Sequence, residues 1–164
     1  MWVLLSYRVP REPSSPRIAI WRKLRRLGVA QISDGLVALP ADARTREQLE
    51  WVAAEAIDAG GSATVWLARP AAAAAERELA AGMAAARAAE YRGVAAETEA
   101  VASAGEPARA AGLRRLRGEL RRIGRRDFFP PPERDLARAA VEALAEPGRA
   151  SAGRPGAHGG EGAR

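Results

Sequence analysis

Ala30-Gln31-Ile32-Ser33-Asp34-Gly35-Leu36-Val37-Ala38-Leu39-Pro40 is the stretch whose reading decides the fold. A short extended run meets Asp-Gly, and a wholly apolar run follows until a proline stops it. Asp-Gly in that setting predicts a tight β-hairpin, because a type I′ turn demands positive φ at both central positions. Upstream, Trp2 to Tyr7 is apolar on both alternating faces, the pattern of a strand in the middle of a sheet. Between them, Ser14 or Ser15 is placed to cap a helix with Pro16 in its first turn. Ile20, Leu24 and Leu27 share one face of that helix, and Gly28 ends it.

Downstream of the hairpin, a second helix starts after Pro40-Ala41-Asp42 and runs to Gly60-Gly61, with Leu49, Val52, Ala53 and Ala56 as its apolar stripe. Trp51 falls about 200° from that stripe in an ideal helix, among Glu47, Glu55 and Asp58. It is expected to be covered by a later segment or by a second subunit. Ser62 to Arg69 then alternates Ala63, Val65 and Leu67 against Thr64, Trp66 and Ala68. Both faces are mostly apolar, which predicts another central strand. Strand, helix, hairpin, helix, strand is an α+β arrangement, and the ferredoxin-like βαββαβ core is the expected fold for residues 1–69. That fold hosts many functions and dictates none.

The composition changes at Pro70. Ala71 to Ala75 open an alanine-rich stretch expected to form one helix from Ala72 to Tyr91, with a weak, flexible connection from Gly93 to Pro107 in which Glu97-Thr98-Glu99-Ala100-Val101 is the portion able to extend the helix. In the next helix Leu113, Leu116, Leu120 and Ile123 fall within an arc of about 80° at ideal geometry. Seven arginines (Arg114, Arg115, Arg117, Arg121, Arg122, Arg125 and Arg126) take the rest of its circumference, opposed in sequence by Glu119. Asp127-Phe128-Phe129 leads into Pro130-Pro131-Pro132, a stiff break. A last helix is expected from about Glu133 to Ala145 with Leu136, Ala140, Ala143 and Leu144 inward. Residues 70–146 thus read as a helical extension. Residues 147–164, rich in Gly, Ala, Arg, Pro and Ser, read as a disordered tail.

The 164 residues amount to one domain with appendages. Cysteine is absent, so disulfides and thiolate chemistry are excluded. The single histidine, His158, sits in the tail, which removes any Ser-His-Asp set and any soft-ligand metal site. Gly60-Gly61 precedes a strand rather than following one, so it reads as a helix stop and not as a phosphate loop. Asp34 has a sufficient structural reason to exist as a turn residue. No cofactor and no catalytic residue is expected. No run approaches the ~20 apolar residues of a membrane span, and cytoplasmic is the expected location.

Net charge is +6, and most of the cations are arginine. A basic chain is built either for solubility or for a polyanionic partner. The physical argument for binding rests on Arg22, Arg25 and Arg26 of the first helix and on Arg114, Arg115, Arg121, Arg122 and Arg125 of the basic helix. Closely spaced guanidinium groups repel one another unless anions are near, and each phosphate contact releases counterions. Paired arginines equally suit a small oxyanion. The rival reading is internal pairing of these arginines with the acidic face around Trp51.

The same residues resemble a known family. Trp2-Val3-Leu4-Leu5, then Arg17-Ile18-Ala19-Ile20-Trp21-Arg22-Lys23-Leu24-Arg25-Arg26-Leu27-Gly28, then Ser33-Asp34-Gly35-Leu36-Val37-Ala38-Leu39-Pro40 and Ala59-Gly60-Gly61-Ser62-Ala63 are similar to the N-terminal domain of ChrB-type chromate resistance proteins. Asp127-Phe128-Phe129 extends the likeness weakly toward Ala145. The resemblance implies a cytoplasmic, chromate-responsive regulator that binds DNA, and longer family members carry a second C-terminal domain. The same half is similar to the ferredoxin-like domain of PaaX-type repressors and, more distantly, to small CRISPR-associated ferredoxin-like nucleases. In those nucleases a metal-binding aspartate ends the first strand, where this chain has Ser6-Tyr7-Arg8.

These readings converge on a non-enzymatic regulatory or accessory protein of chromate resistance, a homodimer binding DNA or chromate through arginines, with no membrane partner. The alternative is a protein-interaction module that dimerises through Trp51 or its sheet without binding nucleic acid. A metal-dependent nuclease built on Asp34 is the third and weakest reading.

Overall fold

Asp34 and Gly35 form the two-residue connection between β2 (Ala30–Ser33) and β3 (Leu36–Pro40). Gly35 has φ 73°, and a Cβ there would lie 2.5 Å from the Tyr7 carbonyl oxygen, so only glycine fits. The computed structural model describes residues 1–145. Around the hairpin the chain runs β1 (Trp2–Arg8), α1 (Ser14–Leu27), β2, β3, α2 (Ala43–Asp58), β4 (Ser62–Ala68), α3 (Ala73–Ala102), α4 (Glu106–Gly124) and α5 (Glu133–Ala143).

The four strands make one antiparallel sheet in the order β2-β3-β1-β4. β1 is central, as its two apolar faces require. It pairs Val3 with Leu39 on one side and Leu67 on the other. β4 is not central, however; it is an edge, and Trp66 and Leu67 are 54% and 57% exposed. Apolar residues on both faces of β4 suggested burial, but its outer rim has no covering element among the described residues. β2 is the other edge, and it bulges at Ile32 where the register shifts between Gln31 and Ser33.

Alternation along β1 puts Val3 and Leu5 on one face and Trp2 and Leu4 on the other. Val3 and Leu5 join Ile20, Leu24, Leu49, Val52 and Ala56 from α1 and α2 in the first hydrophobic core. Trp2 and Leu4 look across a cavity of about 710 Å³ toward Leu79 and Met83 of α3. Trp2 is pinned there by its indole Nε1, which donates to Glu76 at 3.0 Å, and by Phe129, whose ring centroid lies 5.9 Å away. A second core gathers Tyr91, Val94 and Val101 of α3, Leu116 and Ile123 of α4, and Ala137, Val141 and Leu144 at α5.

Three local expectations need correction. α1 starts at Ser14 with Pro13 at its N-cap and no side-chain cap, so both serines lie inside the helix. α3 continues through Gly93 to Ala102, about 45 Å in all, and the break before α4 is Ser103-Ala104-Gly105. Glycine costs about 1 kcal/mol in a helix interior. Burial of Tyr91, Val94 and Val101 against α4 and α5 outweighs that cost. In α5 the buried stripe is Ala137, Val141 and Leu144, whereas Leu136 is 67% exposed. Residues 146–164, including the expected tail, lie outside the described residues.

Candidate functional site

The basic helix α4 packs against α3 and α5, not against the acidic face of α2. Its leucines turn inward, and its arginines divide into two groups. Arg115 pairs with Glu97 of α3 at 2.6 Å, Arg117 with Glu142 of α5 at 2.6 Å, and Arg122 with Glu119 one turn earlier. The Arg117–Glu142 contact is bidentate, which raises the arginine pKa and lowers the glutamate pKa through their hydrogen bonds. Arg114, Arg121 and Arg125 are exposed and make no ion pair with a carboxylate among the described residues. Arg121 and Arg125 line a concavity of about 410 Å³ together with Arg138 of α5. Among the described residues, Arg138 keeps only a 4.0 Å contact to Asp135.

On α1, Arg22, Arg25 and Arg26 are all exposed. Arg25 stacks over the Trp21 ring, its guanidinium carbon 4.9 Å from the centroid. Arg22 lines a separate shallow site with Arg17, Trp21 and Asp34 beside the hairpin. The expected candidates therefore do not form a single constellation. Arg22 and Arg25 open on different hollows, and Arg121 and Arg125 on a third.

Trp51 is 67% exposed, beside Lys23 and Leu27 of α1, and no later segment among the described residues covers it. Its acidic neighbour Glu55 is taken by Lys23 of α1. The acidic face of α2 thus does not neutralise the basic helix; the partners come from α3, α4 and α5. Asp34 has no companions for a metal, since no three His, Asp or Glu side chains gather among the described residues.

Sequence reasoning missed a buried polar cluster where α1, α3 and α4 meet. Arg87 of α3 is 8% exposed and donates to Glu90 at 3.0 Å. Arg126, just past α4, donates to the same Glu90 oxygen at 2.9 Å. One carboxylate thus serves two guanidinium groups. Burial pushes the Arg87 pKa down, against the pull of Glu90. One turn on, the Tyr91 hydroxyl donates to Asp127 at 2.9 Å. Burial, then that hydrogen bond, pushes the Tyr91 pKa up to about 12. Arg87 Nε, Glu90 Oε2 and Asp127 Oδ1 are buried without a protein partner.

Gly28 sets how closely these parts approach. A Cβ there would lie 2.7 Å from Arg87 Nη1 and 2.8 Å from Arg126 Cβ. Beside it lies a hollow of about 240 Å³ that Arg25, Arg87, Arg126 and Glu90 share with Tyr7 and Gln31. Three cations face one carboxylate in that lining, a surplus of positive charge suited to an anion. The available signal was the i, i+4 pair Arg87 and Tyr91 with Glu90, set among the alanines at positions 84–86, 88 and 89.

No curated protein and no solved structure matches the chain. One family model does match, that of protein ChrB, N-terminal, over residues 17–106. The match runs from α1 through α3 to the first residue of α4, so it includes Arg22, Arg25, Arg26, Arg87, Glu90 and Tyr91 and stops short of the basic helix. It covers more than half of the 164 residues, with the hairpin and both halves of the buried cluster's α3 contribution inside it, and the chain belongs to the ChrB family through that N-terminal region.

Proposed function

We propose that this chain is a non-enzymatic regulatory or accessory protein of chromate resistance, cytoplasmic and homodimeric, that binds DNA through α4. The observation that carries the reading is the set of Arg114, Arg121 and Arg125, exposed and without an acidic partner among the described residues, with Arg138 beside the last two. Family membership supports the link to chromate resistance. The βαββαβ order and the β2-β3-β1-β4 sheet support reading the core as ferredoxin-like. That no described helix is long and apolar enough to cross a membrane fits a partner in water.

The test is a salt titration of duplex DNA binding by the full chain and by Arg114→Ser/Arg121→Ser/Arg125→Ser. Wild type should lose affinity linearly in log–log coordinates, and the triple variant should bind more weakly with a slope reduced by about 2–3. A slope near zero for wild type, or an unchanged slope for the variant, overturns the DNA reading.

A second reading, anion binding at the α1–α3–α4 junction, is favoured by the single Glu90 shared between Arg87 and Arg126, with Arg25 on the same hollow. Calorimetric titration of wild type and Arg25→Gln with chromate and with sulfate tests it. Binding weakened by the substitution supports the site, and no heat with either anion removes it.

A further inference from the structure

The cavity of about 710 Å³ between Trp2 and Leu4 of β1 and Leu79 and Met83 of α3 has the size of a small-molecule site, about 300–1,000 Å³. It is a trough. Its lining follows α3 from Ala75 to Arg87, a distance of about 18 Å. Small side chains keep it open. Gly82 lines it midway along, and a Cβ there would meet nothing within 4 Å. Glycine weakens a helix interior relative to alanine, the residue most used in α3, so the helix gives up propensity here and leaves depth. Met83 beside it is an adaptable apolar wall.

The two ends of the trough differ in charge. Near Ala75 the lining carries Arg69 and Glu78, one charge of each sign. At the far end stands Arg87, 8% exposed. Its Nη2 donates to Glu90, and the same Glu90 oxygen accepts from Arg126, so two guanidinium groups have one carboxylate between them. No described residue accepts from Arg87 Nη1. A Cβ on Gly28, another lining residue, would lie 2.7 Å from that nitrogen, which sets this arm of the guanidinium against the trough wall. One unbalanced positive charge at the end of a long apolar trough selects one negative charge on a long apolar body. We propose that the cavity binds a medium-chain fatty carboxylate of about ten carbons, its head accepting from Arg87 Nη1 and its alkyl chain lying along Leu4, Leu79, Gly82 and Met83 toward Ala75. The site goes beyond the reading of α4 and stands whether or not DNA is bound.

Equilibrium dialysis of the full chain against decanoate, kept below its micelle concentration, tests the proposal. Decanoate should bind one per chain, and affinity should rise about fourfold per methylene from hexanoate through octanoate to decanoate. Decan-1-ol, the same body without the charge, should bind about tenfold more weakly or worse. Gly82→Phe fills the trough where a side chain has room, and it should lose about tenfold or more in decanoate affinity with unchanged circular dichroism. Arg69→Gln, at the other end, should bind decanoate within about threefold of wild type, since an exposed charge at that distance is screened. No retained decanoate, an affinity independent of chain length, equal affinity for decan-1-ol, undiminished binding by a folded Gly82→Phe, or a loss of about tenfold in Arg69→Gln overturns the site. The chain-length series and the alcohol comparison use the wild type alone, so they decide the matter even if Gly82→Phe does not fold.

Discussion

Tyr91 and Asp127 are joined across 36 positions of chain by one hydrogen bond of 2.9 Å, which fastens the middle of α3 to the residues that leave α4. The phenol is fully buried, and the other Asp127 oxygen has no protein partner. Tyr91→Phe removes the donor and leaves that carboxylate poorly satisfied on both oxygens. The expected loss is about 1–3 kcal/mol, read from urea or thermal unfolding. The pH dependence follows from the same contact. The folded pKa of about 12 lies above the ordinary 10.0, so the proton is held more tightly in the folded state. The stabilisation is fully present below pH 10 and is lost as pH rises toward 12. Wild type should lose stability across that alkaline window, and Tyr91→Phe should lose less.

Gly28 adopts φ 75° at the C-cap of α1, and its missing side chain leaves room for Arg87 and Arg126. Gly28→Ala meets two obstacles at once. The left-handed backbone costs about 1–2 kcal/mol for a residue with a Cβ, and contacts of 2.7 and 2.8 Å force both arginines to shift. The variant should be destabilised by about 2 kcal/mol or more. A melting temperature within a degree of wild type would show that the junction is looser than described.

Asp42 caps α2 by accepting from the Thr45 backbone N–H at 2.7 Å, while Thr45 Oγ1 accepts from the Asp42 N–H at 3.0 Å. The Thr45 N–H holds the Asp42 carboxyl below its ordinary pKa. A depressed folded pKa means stabilisation present at neutral pH and lost as the medium is acidified below pH 4. Asp42→Ala should cost about 0.5–2 kcal/mol at pH 7. The gap between variant and wild type should narrow in acid, measured by denaturant unfolding at pH 7 and pH 3.

Local signals carried the reading of residues 1–69 furthest. The hairpin at Asp34-Gly35, the Gly28 stop and the stripe Leu49, Val52, Ala53, Ala56 each rest on backbone chemistry or periodicity that a few neighbours determine. Strand order is not local, and this is why β4 was misplaced. A strand apolar on both faces looks the same whether its rim is paired or open. The alanine-rich α3 failed for a related reason. Alanines at about half of its positions blur which face is buried, and Arg87 and Glu90, two of several charged residues there, look like ordinary surface charge. Arg126, which pairs with Glu90, and Asp127, which pairs with the neighbouring Tyr91, each come from 36 positions away. The arginines of α4 were legible as a group but not as individuals, because Glu97 and Glu142, which engage Arg115 and Arg117, are brought in by tertiary packing.

The α5 stripe gives the last prediction, since two leucines eight positions apart on one short helix differ in their surroundings. Leu144, at the C-cap, is 6% exposed and packs with Ala137, Val141 and Leu116 in the second core, while Leu136 is 67% exposed. Truncating a buried leucine loses its transfer free energy and leaves a cavity, about 2–5 kcal/mol in well-packed sites. Near a helix end, where neighbours relax more easily, Leu144→Ala should fall toward the lower figure. Leu136→Ala removes little buried area and adds helix propensity, so its effect should stay within about 0.5 kcal/mol. Thermal unfolding of both variants side by side distinguishes this register from the one centred on Leu136, which requires Leu136→Ala to be the costlier change.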